Sequence, residues 1–290
     1  IRDMLMDTDM VFIAAGMGGG TGTGAAPIIA EVAKETGALT VAVVTKPFTF
    51  EGTRRMVQAE EGVDKLKDKV DTLIVIPNQK IIEVADPKLT FVEAFALADS
   101  VLSQGVQAIA DLITIPGLIN VDFADVRSVM TNAGSALMGT GIASGDKRAQ
   151  SAARQAVTSP LLETSIDGAR GILFNITGSN NMTMSEVNEA SKIIAEAADA
   201  DANIIFGATI RDEMGDQIKI SVIATGFDES RRRLQGFVNR GYSPFVIPEE
   251  KEEQPDAEEP TKPEIDDKFK HSEVDINNEL DIPAFLRNKS

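Results

Sequence analysis

Residues 14–27 read AAGMGGGTGTGAAP and hold five glycines between Gly18 and Gly24. These glycines follow an apolar run, residues 10–15, that is typical of a strand covered on both faces. Because glycine has no side chain, such a run between a strand and a helix lets backbone N–H groups close around an anion at the helix N-terminus. The stretch therefore predicts a phosphate-binding loop. A glycine-rich turn used only for tight packing is the alternative.

Two common phosphate-binding designs fit this loop poorly. A P-loop ends in Lys-Ser/Thr, whereas Ala25 and Ala26 stand at that place here. A dinucleotide-binding turn would accept the spacing of Gly20, Gly22 and Ala25, but it requires an acidic residue at the end of the next strand. That strand ends in Thr-Lys at residues 45–46. A metabolic dinucleotide enzyme is thus disfavoured, although it remains an alternative.

Composition excludes several other classes of function. The 290 residues carry a net charge of −17 with no Lys/Arg-rich run, which argues against nucleic acid or an anionic membrane as the main partner. The chain has no cysteine and a single histidine, His271, in a charged tail, so no histidine-based metal site is expected. No apolar run approaches the roughly 18 residues of a membrane helix. We therefore expect a cytoplasmic protein with no direct membrane insertion.

The elements that must position the loop alternate between strand and helix. Strands are predicted at 10–15, 39–44 and 72–76, with helices between them that extend to about residues 34 and 66. This order implies a parallel sheet with right-handed crossovers. A long helix over 91–113 would span roughly 35 Å, enough to bridge two domains.

A smaller α/β domain is predicted after the long helix. Its strands are expected at 171–177, 202–210 and 217–225, and its helix at 185–198. The last strand alternates apolar and polar residues, which predicts a half-exposed sheet.

The apolar face of the long helix is predicted to consist of Val92, Phe95, Leu102, Val106, Ile109 and Ile113.

The chain beyond residue 248 differs in composition from the rest. Residues 249–290 hold 14 Asp/Glu against 6 Lys/Arg, which is typical of a disordered segment. A small apolar island, residues 281–287, lies near the end. We interpret 248–280 as a flexible spacer and 281–290 as a partner-binding peptide, with the contacts made by Ile282, Pro283, Phe285 and Leu286.

Several motifs together resemble the tubulin/FtsZ family, in particular its bacterial cell-division members. They are GGGTGTG at 18–24, KPFTFEGTRR at 46–55, IPNQK at 76–80, FALAD at 95–99, NVDFADVRSVM at 120–130 and DIPAFLRNK at 281–289. The resemblance covers essentially the whole chain. It implies a GTPase that polymerises head to tail into filaments of the division ring at mid-cell, with GTP, GDP and Mg²⁺ as ligands.

The implied fold is α/β, with a parallel-sheet GTP-binding domain, a long central helix, a second smaller α/β domain and a disordered acidic tail. The expected boundaries are 1–90 for a partial GTP-binding domain, 91–125 for the central helix and catalytic loop, and 126–247 for the second domain. Because the chain opens at Ile1, without Met, and soon enters a strand, we expect a fragment that lacks an N-terminal part of the nucleotide pocket.

The resemblance also implies residue roles. Asp99 and Asn78 would bond guanine, Phe95 would lie against it, Glu51 would meet the ribose and Arg55 the nucleotide. A carboxylate can accept both N1–H and the N2 amine of guanine, and adenine offers no such pair. The phosphates would be cradled by the residues of the glycine loop: Gly18, Gly19, Gly20, Thr21, Gly22, Thr23 and Gly24.

The implied catalytic residues are Asn120, Asp122 and Asp125, in a loop that would insert into the nucleotide pocket of the next subunit. No metal-ligating side chains are expected, and the partners would be further copies of the chain together with tethering and regulatory division proteins. An Asp that merely caps the following helix is the plain alternative for Asp122 or Asp125. A non-hydrolysing scaffold with the same fold is the alternative for the whole chain.

Overall fold

A computed structural model describes residues 1–85, 88–159 and 165–227, all within the unit Ile1–Gly241. The predicted spacer at 248–280 and the predicted peptide at 281–290 lie outside the described residues.

Seven strands form one sheet in the order β1-β2-β3-β4-β7-β5-β6. The first three strands pair in parallel, and β5 pairs in parallel with β6, whereas β7 runs antiparallel to both of its neighbours. Between β3 and β4 the parallel pairing spans three residues of each strand. The bounds are β1 Met10–Gly16, β2 Leu39–Lys46, β3 Thr72–Pro77, β4 Gly134–Ser144, β5 Gly171–Gly178, β6 Asn203–Ile210 and β7 Gln217–Thr225.

Eight α-helices and two short 3₁₀ turns are present in the described part of the chain. The turns are Thr49–Glu51 and Asp212–Met214. The helices are α1 Arg2–Leu5, α2 Thr21–Glu35, α3 Thr53–Lys67, α4 Asn78–Val84, α5 Phe91–Thr114, α6 Phe123–Met130, α7 Arg148–Val157 and α8 Met184–Glu196. The predicted α/β fold is confirmed, and each of the six predicted strands ends within two residues of its predicted bounds.

Strand β2 lies between β1 and β3 in the first half of the sheet, and both of its faces are covered. Val41 and Val43 belong to the core beneath α5, while Ala42 and Val44 belong to a second core beneath α2 and α3. This two-sided burial explains why the strand reads as an uninterrupted apolar run rather than an alternating one.

One strand, β4, and the helices α1, α4 and α7 were not predicted from the sequence. Strand β4 is rich in small residues, and two of its glycines, Gly139 and Gly141, lie directly under α7. A Cβ on Gly139 would stand 1.9 Å from the carbonyl oxygen of Ala156, and one on Gly141 would stand 2.0 Å from that of Ala152. Glycine is unfavourable in strands on local grounds, so only the helix packed across β4 accounts for these residues.

The predicted apolar face of the long helix was partly wrong. Val92 is 76% exposed, and Phe95 is partly buried, whereas Ile109 is fully buried as expected. The side that meets the sheet is built mostly from small residues, and its buried members are Ala94, Ala98, Val101, Gly105, Ile109 and Leu112. The predicted face is nevertheless confirmed for five of its six residues, because Phe95, Leu102, Val106 and Ile113 also pack against this core beside Ile109.

The half-exposed sheet predicted from β7 was also wrong for the second part of that strand. Ile218 and Ile220 belong to the core beneath α7 and α8, as the alternation indicated. On the opposite face Ser221 is buried, and Ile223 joins the core that includes α5. The sheet is covered there because α5 continues across both of its halves.

Arg148 ties together several segments at one end of the second half of the sheet. Its guanidinium is buried, and it donates to Glu186 at 2.6 Å, to Asp216 at 3.0 Å and to Asn181 Oδ1 at 2.9 Å. Hydrogen bonding from Arg148 lowers the pKa of Glu186, against the opposing effect of burial, with further help from Thr183. The pair thus stabilises the folded state while Glu186 is ionised.

The Glu186→Gln variant tests this pair, because Gln can also occupy the third position of the capping box with Thr183. We expect the variant to lose about 2 kcal/mol of unfolding free energy at neutral pH. Since the folded-state pKa of Glu186 is lowered, its contribution is present above the ordinary value of about 4.3 and is lost as pH falls below it. Urea unfolding from about pH 7 to pH 3 should show the difference shrinking. A constant difference would contradict the assignment.

Candidate functional site

The glycine-rich loop lies at the carboxyl end of β1, where the chain turns into α2. The Met17 N–H donates to the carbonyl oxygen of Thr45 at 2.9 Å, and the Gly18 N–H donates to Thr23 Oγ1 at 2.8 Å. Helix α2 begins at Thr21, and its N-cap, Gly20, makes no side-chain capping bond. The first amides of a helix have no partner within it and carry the positive end of its dipole, so this end of α2 is suited to an anion.

Two of the glycines in this loop are required by close packing against other backbone segments of the chain. Gly18 has a φ of +92°, and a Cβ there would stand 2.6 Å from the carbonyl oxygen of Arg55. A Cβ on Gly22 would stand 2.2 Å from the carbonyl oxygen of Gly16. These two positions bring α3 and the end of β1 into direct contact with the loop backbone.

The other three glycines have no such explanation within the described residues. A Cβ added at Gly19, Gly20 or Gly24 would meet no described atom within 4 Å. Bare backbone facing open space beside a helix N-terminus is what close approach to a phosphate group requires. The loop therefore fits the phosphate chain that the sequence predicted.

Glu51, at the end of the 3₁₀ turn, and Arg55, in the first turn of α3, lie beside the loop. They form an ion pair of 3.1 Å, and Glu51 Oε1 also accepts the N–H of Phe48 at 2.8 Å. Glu51 is mostly covered, while the Arg55 side chain is 51% exposed. The carboxylate thus holds the turn after β2, and the guanidinium stays accessible next to Gly18.

Asn78 follows directly on the end of β3, at the same edge of the sheet as the loop. It is buried, and its Oδ1 is the one buried side-chain oxygen or nitrogen without a hydrogen-bond partner in the described part of the chain. An unpaired buried acceptor is costly, so it indicates a missing partner. A donor on a bound base would supply one.

Phe95 packs among other aromatic rings rather than standing free. Its ring centroid is 5.0 Å from Phe48, in an edge-on arrangement, and 5.0 Å from Phe91. Asp99 lies one turn further along α5 and is exposed. Phe95 is therefore part of an aromatic cluster in this structure, and its contact with guanine stays a prediction.

The predicted catalytic residues lie at the other end of α5. Asp122 is the N-cap of α6 and accepts the Asp125 N–H at 2.9 Å, while Asn120 Oδ1 accepts the Gly117 N–H at 2.5 Å. Asp122 therefore has the capping role that was its alternative interpretation. The exposed side chain of Asp125 follows in the first turn. Together with the last turn of α5, the three residues line an open cavity of about 470 Å³.

The structure therefore divides the predicted site into two groups. The glycine loop, Glu51, Arg55 and Asn78 meet at the carboxyl ends of β1 to β3. The acidic loop follows the far end of α5, a helix of 24 residues that spans about 36 Å. Within one chain the two groups do not meet.

Gln79 and Phe50 lie beside the predicted site but were not among the residues that the sequence predicted for it. Gln79 Oε1 accepts both the N–H and the hydroxyl of Thr49, at 3.3 and 2.8 Å, and so connects α4 to the turn after β2. Phe50 is 53% exposed and stacks on Phe48 at 5.0 Å. Both residues belong to the quoted motifs, but nothing in the local pattern distinguished them from their neighbours.

No group of three or more His, Cys, Asp or Glu side chains in the described ranges is placed to hold a metal ion. Among the described helices, none is both long and apolar enough to cross a membrane.

Comparison with known families matches both halves of the chain. Residues 1–86 match the Tubulin/FtsZ family, GTPase domain, and residues 134–228 match the FtsZ family, C-terminal domain. The two matched ranges flank α5 and the acidic loop, which lie between them.

Solved structures give the same result. An empty FtsZ dimer from M. jannaschii is 47% identical over 78% of this chain, with a TM-score of 0.74, and the W319Y mutant of FtsZ from M. jannaschii is 46% identical over 79%, with a TM-score of 0.76. The chain spans 65% and 69% of those two proteins. GDP-bound CetZ1 from Haloferax volcanii, at 19% identity and a TM-score of 0.63, shares the fold, with 82% of this chain and 71% of that one covered.

The division of the glycines can be tested with two alanine variants. Gly22→Ala should cost about 3 kcal/mol of unfolding free energy, because the new Cβ collides with backbone. Gly24→Ala should change that free energy by less than about 0.5 kcal/mol yet weaken GTP binding about tenfold. Thermal unfolding and nucleotide titration measure the two effects. Equal loss of stability in both variants would contradict the division.

Asn78→Ala tests the unpaired acceptor. Without nucleotide, the unfolding free energy should stay the same or rise by up to about 1 kcal/mol, because a buried group without a partner is removed. GTP binding should weaken while the binding of a nucleoside triphosphate without guanine donors, such as ATP, stays unchanged. A destabilised variant with normal GTP affinity would show that Asn78 serves the fold instead.

Proposed function

The chain belongs to the tubulin/FtsZ family, and we propose that it is a GTP-binding GTPase that assembles head to tail into filaments. The observation that carries the proposal is the placement of a phosphate cradle and an acidic loop at opposite ends of α5. Neither the cradle nor the acidic loop forms a complete site by itself. Stacking one subunit on the next would bring the cradle of one subunit to the acidic residues of the other.

The cradle binds phosphate through backbone rather than through a lysine. The amides at the beginning of α2 face the site, and Gly19, Gly20 and Gly24 leave the backbone bare there. Arg55, accessible beside Gly18, adds the one side-chain cation that the sequence assigned to the nucleotide. Mg²⁺ would be held mainly through phosphate oxygens and would neutralise charge during transfer, as it commonly does with nucleotides.

Guanine recognition is assigned to Asn78 and Asp99. The unpaired Oδ1 of Asn78 would accept from the base. The exposed carboxylate of Asp99 would accept the N1–H and N2 amine together, a pair of donors that adenine lacks. Phe95 would contribute an aromatic surface beside them while it keeps its packing against Phe48.

Hydrolysis is assigned to the acidic loop of the neighbouring subunit. Phosphoryl transfer needs a positioned nucleophile and charge stabilisation rather than covalent help from the protein. Asp125, which is exposed in the first turn of α6, would orient and polarise the attacking water, while the hydrogen bonds of Asn120 and Asp122 fix the loop. Because this contact joins two different faces, it is heterologous and propagates as an open filament.

The relatives support assembly of this kind. The M. jannaschii structure is described as an FtsZ dimer, and CetZ2 from Haloferax volcanii, 18% identical with a TM-score of 0.64 and with 82% of this chain and 72% of that one covered, as a GTPγS-bound protofilament. We extend the proposal to filaments of a division ring at mid-cell. The terminal peptide at 281–290 would bind tethering and regulatory proteins through the 248–280 spacer.

The test of the proposal is phosphate release from GTP with Mg²⁺ over a wide range of chain concentrations. A shared site predicts that the rate per chain rises steeply above a threshold, in step with light scattering from polymers. A constant rate per chain would show that each subunit carries a complete site and would overturn the trans mechanism. Polymers without phosphate release would favour the non-hydrolysing scaffold.

Two isosteric variants separate chemistry from capping. Asp125→Asn and Asp122→Asn each remove one charge, but Asn is as good an N-cap as Asp, so α6 should remain stable. We expect Asp125→Asn to lower the turnover per polymerised subunit roughly 100-fold, with polymers retained. Sedimentation and phosphate release measure both quantities. Normal turnover in Asp125→Asn would contradict its role.

A further inference from the structure

The acidic loop, residues 115–125, which includes the first turn of α6, is attached to the outer edge of the last strand of the sheet. Strand β6 ends the strand order, and Ile119 forms an antiparallel bridge with Ala208 on it. The Ile119 N–H donates to the Ala208 carbonyl oxygen at 3.3 Å, and the Ala208 N–H donates back to the Ile119 carbonyl oxygen at 3.1 Å. The loop is therefore held by backbone bonds to an element of the second half of the sheet.

The contact leaves no room for side chains. A Cβ on Gly117 would stand 2.3 Å from the Ala208 carbonyl oxygen, and one on Gly207 would stand 2.7 Å from Leu112 Cδ2. Gly117 also donates to Asn120, which is one of the proposed catalytic residues. A small shift of β6 would thus be passed directly to the loop.

A second attachment lies where β6 ends. Arg211, the residue after the strand, donates to Asp111 in the last turn of α5, with 2.8 Å between Nη2 and Oδ2. Both side chains are partly covered, at 36% and 22% exposed. The ion pair fixes the end of α5, and the bridge fixes the loop that follows it.

The charges of this ion pair also act on the pKa of Lys219 on β7. Burial lowers its pKa first, the positive charge of Arg211 lowers it further, and Asp111 opposes both effects. Asp111 therefore faces two cations, one on β7 and one after β6.

We propose that Arg211 is a positioning residue whose ion pair with Asp111, together with the Ile119–Ala208 bridge, holds the acidic loop in the geometry that hydrolysis needs. The consequence for turnover rests on the proposed function, whereas the attachment of the loop does not. Arg211 touches none of the three proposed catalytic residues and acts through α5 and the loop backbone.

This role differs from a general contribution to stability. A partly exposed ion pair usually contributes less than about 1 kcal/mol, and the three hydrophobic cores do not depend on it. Its loss should therefore change the loop without unfolding the chain. The Lys192–Glu196 pair on α8, which is exposed and remote from the loop, supplies a matched control.

Hydrogen exchange of the full chain, without nucleotide, tests the attachment. Arg211→Met keeps a long side chain without charge, and we expect the amide of Ile119 to exchange at least about tenfold faster while β2 is unchanged. Arg211→Lys should show a smaller effect, and Lys192→Met none. Unchanged exchange at Ile119 in Arg211→Met would overturn the proposal, whatever the chain does with GTP.

Turnover tests the functional consequence. Arg211→Met should lower phosphate release per polymerised subunit by about tenfold, with GTP affinity unchanged because the cradle is at the other end of α5. The exchanged pair Asp111→Arg with Arg211→Asp should recover part of the rate. Faster exchange with normal turnover would refute positioning of the acids. Absence of GTPase activity in the unmodified chain would refute the proposed function, and the exchange result would still decide the attachment.

Discussion

Helix α5 lies across the junction of the sheet and contacts both of its halves. A Cβ on Gly105, near the middle of the helix, would stand 3.0 Å from Val43 on β2 and 3.4 Å from Met138 on β4. This close approach requires small residues on the inner side of the helix, and it fixes α5 against the sheet. Because the helix is about 36 Å long and stiff, it also fixes the separation of the elements at its two ends.

That separation gives the proposed mechanism its dependence on assembly. A cradle at one end and carboxylates at the other keep the negative charges of Asp122 and Asp125 away from a bound triphosphate within one chain. In the proposed mechanism, they would come together only across a contact between subunits. Loss of the γ-phosphate would then weaken the contact that made hydrolysis possible, so assembly and turnover would be linked through one interface.

The cradle solves an electrostatic problem for an acidic chain. With a net charge of −17, the chain repels polyanions at long range, so the site must attract phosphate locally. Backbone amides at the beginning of α2 do so over a short distance, and the ion pair with Glu51 keeps Arg55 beside the loop. The three glycines that face open space would allow the phosphate chain of a bound nucleotide to come close enough for those amides to act.

The sequence by itself determined the periodic and compositional features of this protein. The apolar runs predicted β1, β2 and β3 because strands covered on both faces need apolar residues at every position. The glycine loop was recognised because few other uses tolerate so many bare positions between a strand and a helix. Among the described residues, the glycine loop follows β1 and the acidic loop follows α5, as the order of the motifs along the chain indicated.

Only the tertiary structure decided which residues those elements bury and which polar groups remain unpaired. It placed small residues of α5 against the sheet and left Val92 exposed. It separated the glycines required by Arg55 and Gly16 from those that face open space, and it left Asn78 Oδ1 without a partner. It also explained Gly139 and Gly141 of β4, because α7 packs across them. A local pattern records the chemistry and period of side chains, whereas burial, close approach and pairing depend on the distant segment that lies opposite.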